Sequence, residues 1–130
     1  RLYDTTFINL DAALKHYNDF RTAYGEGCTF ENTGFDIDLA FPISYQDSAW
    51  YVMVCGLHKF PIADPYPIVY IHYGIGPMFF SMEAMLRSCI DEIRQSTTLE
   101  DATLDIDMLK WNEIWEYHNP GISKIRETRS

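Results

Sequence analysis

The sequence predicts one α+β domain, an antiparallel sheet with helices on one face. Two observations predict it. A helical stretch comes first, then a run of strand-like segments, then two more helices. The connections between the strand-like segments are too short for helical crossovers, so neighbouring strands must run antiparallel. With 130 residues, 47% of them hydrophobic and 22% charged, the chain can bury about two thirds of its unfolded surface in one domain.

The first helix is expected from Asn9 to Gly27. Asn9 suits an N-cap and Asp11 complements the first turn. Leu10, Ala13, Leu14, Tyr17 and Tyr24 form a helical stripe, and Gly25 and Gly27 end it. The next stretch, FDIDLAF, alternates. Phe35, Ile37, Leu39 and Phe41 fall on one side and Asp36 and Asp38 on the other, as in a half-buried strand. Pro42 and the polar SYQDS after it predict a turn. AWYVMVCG, from Ala49, is mostly apolar and is expected to be a central strand.

Three prolines between His58 and Pro67 make that segment a loop. IVYIHYG, from Ile68, is rich in β-branched and aromatic residues and predicts a third strand. GIGP predicts a turn, and MFF a short extension. SMEAMLRSCIDEIRQS is the clearest helix: Ser81 can cap it and Glu83 sits in its first turn. Its stripe of Met82, Met85, Leu86, Cys89, Ile90 and Ile93 is expected to face the core. TTLEDATLDID predicts a polar connector. MLKWNEIWEYH predicts the last helix, ended at Asn119-Pro120 because the residue before a proline avoids helical backbone. Trp111 and Trp115, four apart, place at least one indole in the core. The domain is expected over residues 1–122, with 123–130 a polar tail that frays.

No apolar run approaches the roughly 20 residues that cross a bilayer. The first residues lack the basic and apolar regions of a signal peptide. The chain starts at Arg1 without an initiator methionine, which fits a natural chain that begins upstream. The three cysteines, Cys28, Cys55 and Cys89, are odd in number and widely spaced, which disfavours a disulfide framework and points to a reducing, cytoplasmic setting. Cys55 and Cys89 are expected to be small core residues. A net charge of −9 disfavours direct nucleic-acid binding, which needs a basic footprint; solubility alone explains such a charge, and the sharper reading is a basic protein partner.

Chemistry is sparse. His16, His58, His72 and His118 do not fall at metal-ligand spacing, and there is no HExxH or CxxC. No GxSxG is present, and Gly74-Ile75-Gly76 lacks the third glycine of a dinucleotide loop. Asp36 and Asp38 form a DxD that can hold a divalent cation, but no phosphate-binding loop accompanies it. No catalytic, cofactor-binding or metal-binding residue is assigned. One departure from uniformity remains. Asp91, Glu92, Glu100, Asp101, Asp105, Asp107, Glu113 and Glu116 fall within 26 residues, against only Arg94 and Lys110. Either this is a solvated face or an acidic docking patch, which speeds association and excludes wrong partners. The partner-binding candidates are Asp36, Asp38, Asp101, Asp105, Asp107, Glu113 and Glu116.

Three stretches taken together resemble the SUKH superfamily, which holds the fungal cell-wall-synthesis regulators and their bacterial relatives. DPYPIVYIHYG resembles its proline-rich approach to a central strand. FFSMEAMLRSCIDEI resembles its passage from sheet to C-terminal helices, with Met82 and Met85 where aromatics are common. NEIWEYHNPGI resembles the Ile-Trp-x-x-Tyr-Asn-Pro-Gly ending of some bacterial members, with His118 interposed. The resemblance spans about Leu10 to Ile122, and the usual Leu-Pro opening of the family is not evident. It implies a roughly six-stranded antiparallel sheet flanked by N-terminal and C-terminal helices, and a non-enzymatic protein without cofactors. It further implies an immunity protein that neutralises a toxin, often a nuclease. The alternatives are an interaction or scaffold module regulating envelope or cell-wall synthesis, and a small enzyme built on Asp36 and Asp38. The sequence leaves the oligomeric state open.

Overall fold

The structure, a computed structural model, describes residues 6–7, 9–25, 34–36, 39–46, 49–57, 60–72, 75–98 and 104–127. In chain order the elements are β1 (Thr6–Phe7), α1 (Leu10–Gly25), β2 (Phe41–Gln46), β3 (Ala49–Met53), β4 (Ile68–Ile71) and β5 (Ile75–Phe79). They continue with α2 (Met82–Gln95), β6 (Thr97–Thr98), β7 (Leu104–Asp105), α3 (Met108–His118) and α4 (Ile122–Glu127). Strands β1 to β5 form one sheet in sequential order, and each neighbouring pair is antiparallel. Strands β6 and β7 pair apart from it. The chain is therefore α+β with an antiparallel meander. The main sheet has five strands among the described residues rather than about six.

The helices do not share one face of the sheet, as the sequence suggests; they cover both. Trp50, Val52 and Val54 point into a first core with Val69, Ile71, Phe35, Ala40, Leu57 and Phe60. Tyr51, on the other side of β3, points into a second core with Ile68, Phe79, Met85, Trp111 and Ile114. Two buried faces explain why β3 reads as continuously apolar instead of alternating. The His16 ring of α1 closes on Tyr45 and Trp50, 5.2 Å from each ring centre. On the opposite face, α2 and α3 contribute Met85, Trp111 and Ile114 to the second core.

Several local expectations are corrected. In the stretch expected as a strand, the described residues ahead of Phe41 (Phe35, Asp36, Leu39 and Ala40) are not strand. The Leu39 amide donates to the Asp36 carbonyl at 3.1 Å, which closes a turn, and Leu39 is exposed while Phe35 is fully buried. Strand β2 begins only at Phe41 and takes in Pro42 and Ser44, where a turn is expected. Its register shifts between Pro42 and Ser44, and such an irregularity accommodates a proline that has no amide to donate. The described part of GIGP is likewise strand: Ile75 to Phe79 form β5, which pairs with β4. The Arg126 guanidinium lies over Gly76, where a Cβ would meet Nη1 at 3.3 Å. That glycine serves a close approach, not a turn. The connector after α2 contains the two-residue strands β6 and β7.

The tail does not fray at residue 123. Ile122 is fully buried, Ile125 packs on the first core, and Arg126 Nη1 donates to the Pro77 carbonyl of β5. Cys55 is exposed rather than core, and Cys89 is half-buried. Burial, with the nearby Glu92 charge, raises the Cys89 thiol pKa. Cys28 lies outside the described residues. The described part of the proline-rich segment, residues 60–67, is a loop as expected. Gly56, at a φ of 77°, turns the chain, and its amide donates to the Pro65 carbonyl at 2.7 Å.

Candidate functional site

Helix α3 is held in place by its inner face and by its ends. Trp111 and Ile114 are buried. Trp115 is half-buried, and its indole Nε1 donates to the Met78 carbonyl at 2.5 Å. At the start, Asp107 Oδ1 accepts from the Leu109 amide at 2.7 Å, a side-chain cap. At the end, His118 Nε2 lies 2.6 Å from Asp91 Oδ2 of α2.

With that face inward, Leu109, Glu113 and Tyr117 recur at i, i+4 and i+8 on the outer side. Leu109 is 73% exposed and Tyr117 78%, the two most exposed of the large apolar residues among those described. Glu113 lies between them and is also exposed. Asp105 and Asp107, both exposed, approach the same helix from its N-terminal side. The result is a ridge of two apolar side chains with a carboxylate between them and acids at one end. Such a surface suits protein contact: a tyrosine gives a large rigid anchor and the acids give charge selection.

The seven acidic candidates do not form one patch. Asp105 and Asp107 lie just before α3 and Glu113 lies on it, all three exposed. Asp36 follows Phe35, which belongs to the first core, whereas α3 covers the second core, so the sheet stands between them. Asp36 also lies in a turn and not in a strand. Asp38 and Asp101 lie outside the described residues. Glu116 is engaged inside the fold: its carboxylate oxygens accept from the Gly121 amide at 3.0 Å and the Ser123 amide at 2.8 Å. The bonds from Ser123, ahead of all other influences, hold its pKa below the usual glutamate range.

That stabilisation requires the ionised carboxylate. It is present above the ordinary glutamate pKa and is lost as pH falls through the lowered native value. Glu116→Gln is expected to cost about 0.5–1 kcal/mol at neutral pH, kept small by solvent screening. Urea midpoints followed from neutral into acid pH should fall less steeply for the variant than for the parent chain.

Of the other acids in the cluster, Glu92 is fully buried and Asp91 is paired with His118. A charge count along the sequence therefore overstates the free acidic surface. Among the described residues no three His, Cys, Asp or Glu side chains are grouped to hold a metal ion, and no helix is long and apolar enough to cross a membrane. The exposed Leu109 and Tyr117 were not singled out by the acid pattern, although their spacing around Glu113 is visible in the sequence once Trp111 and Ile114 are placed inward.

No family model matches the chain, and no curated protein or solved structure matches it either.

Proposed function

We propose that this chain is a SUKH-like, non-enzymatic binding domain acting as a cytoplasmic immunity protein. In this reading it neutralises a cognate toxin of basic surface, of the nuclease class, through the ridge of α3. The single observation that carries the proposal is the outward line Leu109, Glu113 and Tyr117 with Asp105 and Asp107 beside it. It offers an apolar anchor and acids together, on a helix whose inner face is locked. The SUKH-like architecture belongs to the same proposal. Its support is that two of the resembling stretches meet: the Asn119 side chain accepts from the Phe80 amide at 2.8 Å, joining the helix end to the passage from sheet to α2.

Co-expression with the candidate toxin encoded beside this chain should restore growth, and the two should form a complex. Tyr117→Ala with Glu113→Lys should weaken that complex by about 2 kcal/mol or more, roughly thirtyfold in Kd. The association rate should fall steeply as salt rises, since screening removes steering by acids. No rescue and no complex at micromolar concentration would sink the proposal. A complex indifferent to salt would favour the scaffold role in envelope or cell-wall synthesis, where an apolar interface suffices.

A further inference from the structure

Helix α2 turns part of its apolar stripe away from the core. Leu86, Ile90 and Ile93 are 48%, 47% and 49% exposed, and their i, i+4, i+7 spacing sets them in one line. The buried positions of the same helix are Ala84, Met85, Ser88 and Glu92. At 100° per residue, the helix is rotated by about 100° from the setting that would bury the stripe. Two polar side chains are inside while three branched apolar ones are outside. That is costly for an isolated chain and sensible for one with a partner helix.

The charges beside the line indicate which partner. Glu83 lies near the N-terminal end of α2 and Arg94 near the C-terminal end, and both are exposed. On the helical wheel they fall on the same side of the line. A second α2, antiparallel and related by a two-fold axis through the helix middle, places Glu83 of one copy beside Arg94 of the other, and the reverse. The same operation sets Leu86 against Ile93 of the other copy, with Ile90 near the axis. A parallel two-fold pair puts Glu83 and Arg94 of the two copies on opposite sides and gains neither contact. The exposed charges along this face are Glu83, Arg87 and Arg94, with Arg87 bonded to Glu83 at 2.9 Å. In a chain of net charge −9, this face is not acidic. It neither repels a second copy nor attracts a basic partner. We propose that α2 is the contact of an antiparallel homodimer, isologous as two-fold interfaces are, and separate from the α3 ridge.

The test is sedimentation equilibrium of the whole chain over a concentration series. The parent chain should dimerise. Leu86→Gln with Ile93→Gln removes four apolar side chains from the pair and should raise the dissociation constant roughly a hundredfold, while far-ultraviolet circular dichroism stays unchanged because both positions are solvent-facing. Glu83→Arg should weaken the dimer about tenfold, and adding Arg94→Glu should restore it. A monomer at about 100 micromolar, weaker than a stable isologous pair allows, overturns the proposal. So does a dimer that Leu86→Gln with Ile93→Gln leaves intact, or a charge reversal that Arg94→Glu fails to rescue.

Discussion

Trp111→Ala is expected to lower the unfolding free energy by about 3–5 kcal/mol, against a total of about 5–15 kcal/mol for a domain of ordinary stability. The indole is 4% exposed and packs with Ile43, Tyr51, Ile68, Phe79, Met85, Ile106 and Ile114. Removing it opens a cavity where sheet, α2 and α3 meet, and a close-packed interior closes such a gap only in part. Trp115 provides the contrast. It is half-buried, gives one hydrogen bond to the Met78 carbonyl, and has the Arg126 guanidinium 5.7 Å from its ring. Trp115→Phe keeps an aromatic body and loses that bond, so it should cost about 1 kcal/mol. Urea midpoints of the two variants separate these values. Equal losses would show that the two indoles contribute alike, contrary to their difference in burial.

The long, strongly patterned elements were legible in the sequence, and their orientation was not. Ser81 caps α2 as expected, with its Oγ accepting from the Ala84 amide at 3.1 Å. Asn9 caps α1 in the same way through the Ala12 amide at 2.8 Å. Caps are local, so a few residues determine them. The buried face of α2 is set by where the sheet and α3 stand, which periodicity cannot see, and Leu86, Ile90 and Ile93 are outside for that reason. Leu14 of α1 is likewise exposed while Ala13 is buried. Proline and glycine misled twice. Pro42 sits at a strand irregularity and Gly76 beneath an arginine, and both read as turns when only the neighbouring residues are considered.

The candidate site was legible to a smaller degree. Acidic residues are easy to count, but their roles depend on three-dimensional neighbours. Asp107 and Glu116 look alike in sequence, yet one caps α3 and the other holds the start of α4. Glu113 has the same chemistry and stays exposed. The difference lies in the turn after Pro120. There Gly121 takes a φ of 83°, which L side chains rarely adopt, and brings its own amide and that of Ser123 back to Glu116.

Asn119→Ala is the second large effect expected, about 1–3 kcal/mol, from a residue with almost no apolar surface to lose. The side chain is fully buried and works in two directions. Its Oδ1 accepts from the Phe80 amide at 2.8 Å, and its Nδ2 donates to the Trp115 carbonyl at 3.0 Å. Alanine leaves the Phe80 amide without this acceptor beside the second core, which costs about 1–3 kcal/mol, whereas the Trp115 carbonyl loses one of two donors and keeps the Asn119 backbone amide at 2.9 Å. Asn119→Asp separates the two halves. It keeps an acceptor for Phe80 but sets a carboxylate against the Trp115 carbonyl, so it should recover part of the loss at most, and more at acid pH where the carboxyl can donate. Hydrogen exchange at the Phe80 amide reads the joint directly. Faster exchange in Asn119→Ala than in Trp115→Phe would place the junction of sheet, α2 and α3 in this one carboxamide. Equal rates would return it to the packing around it.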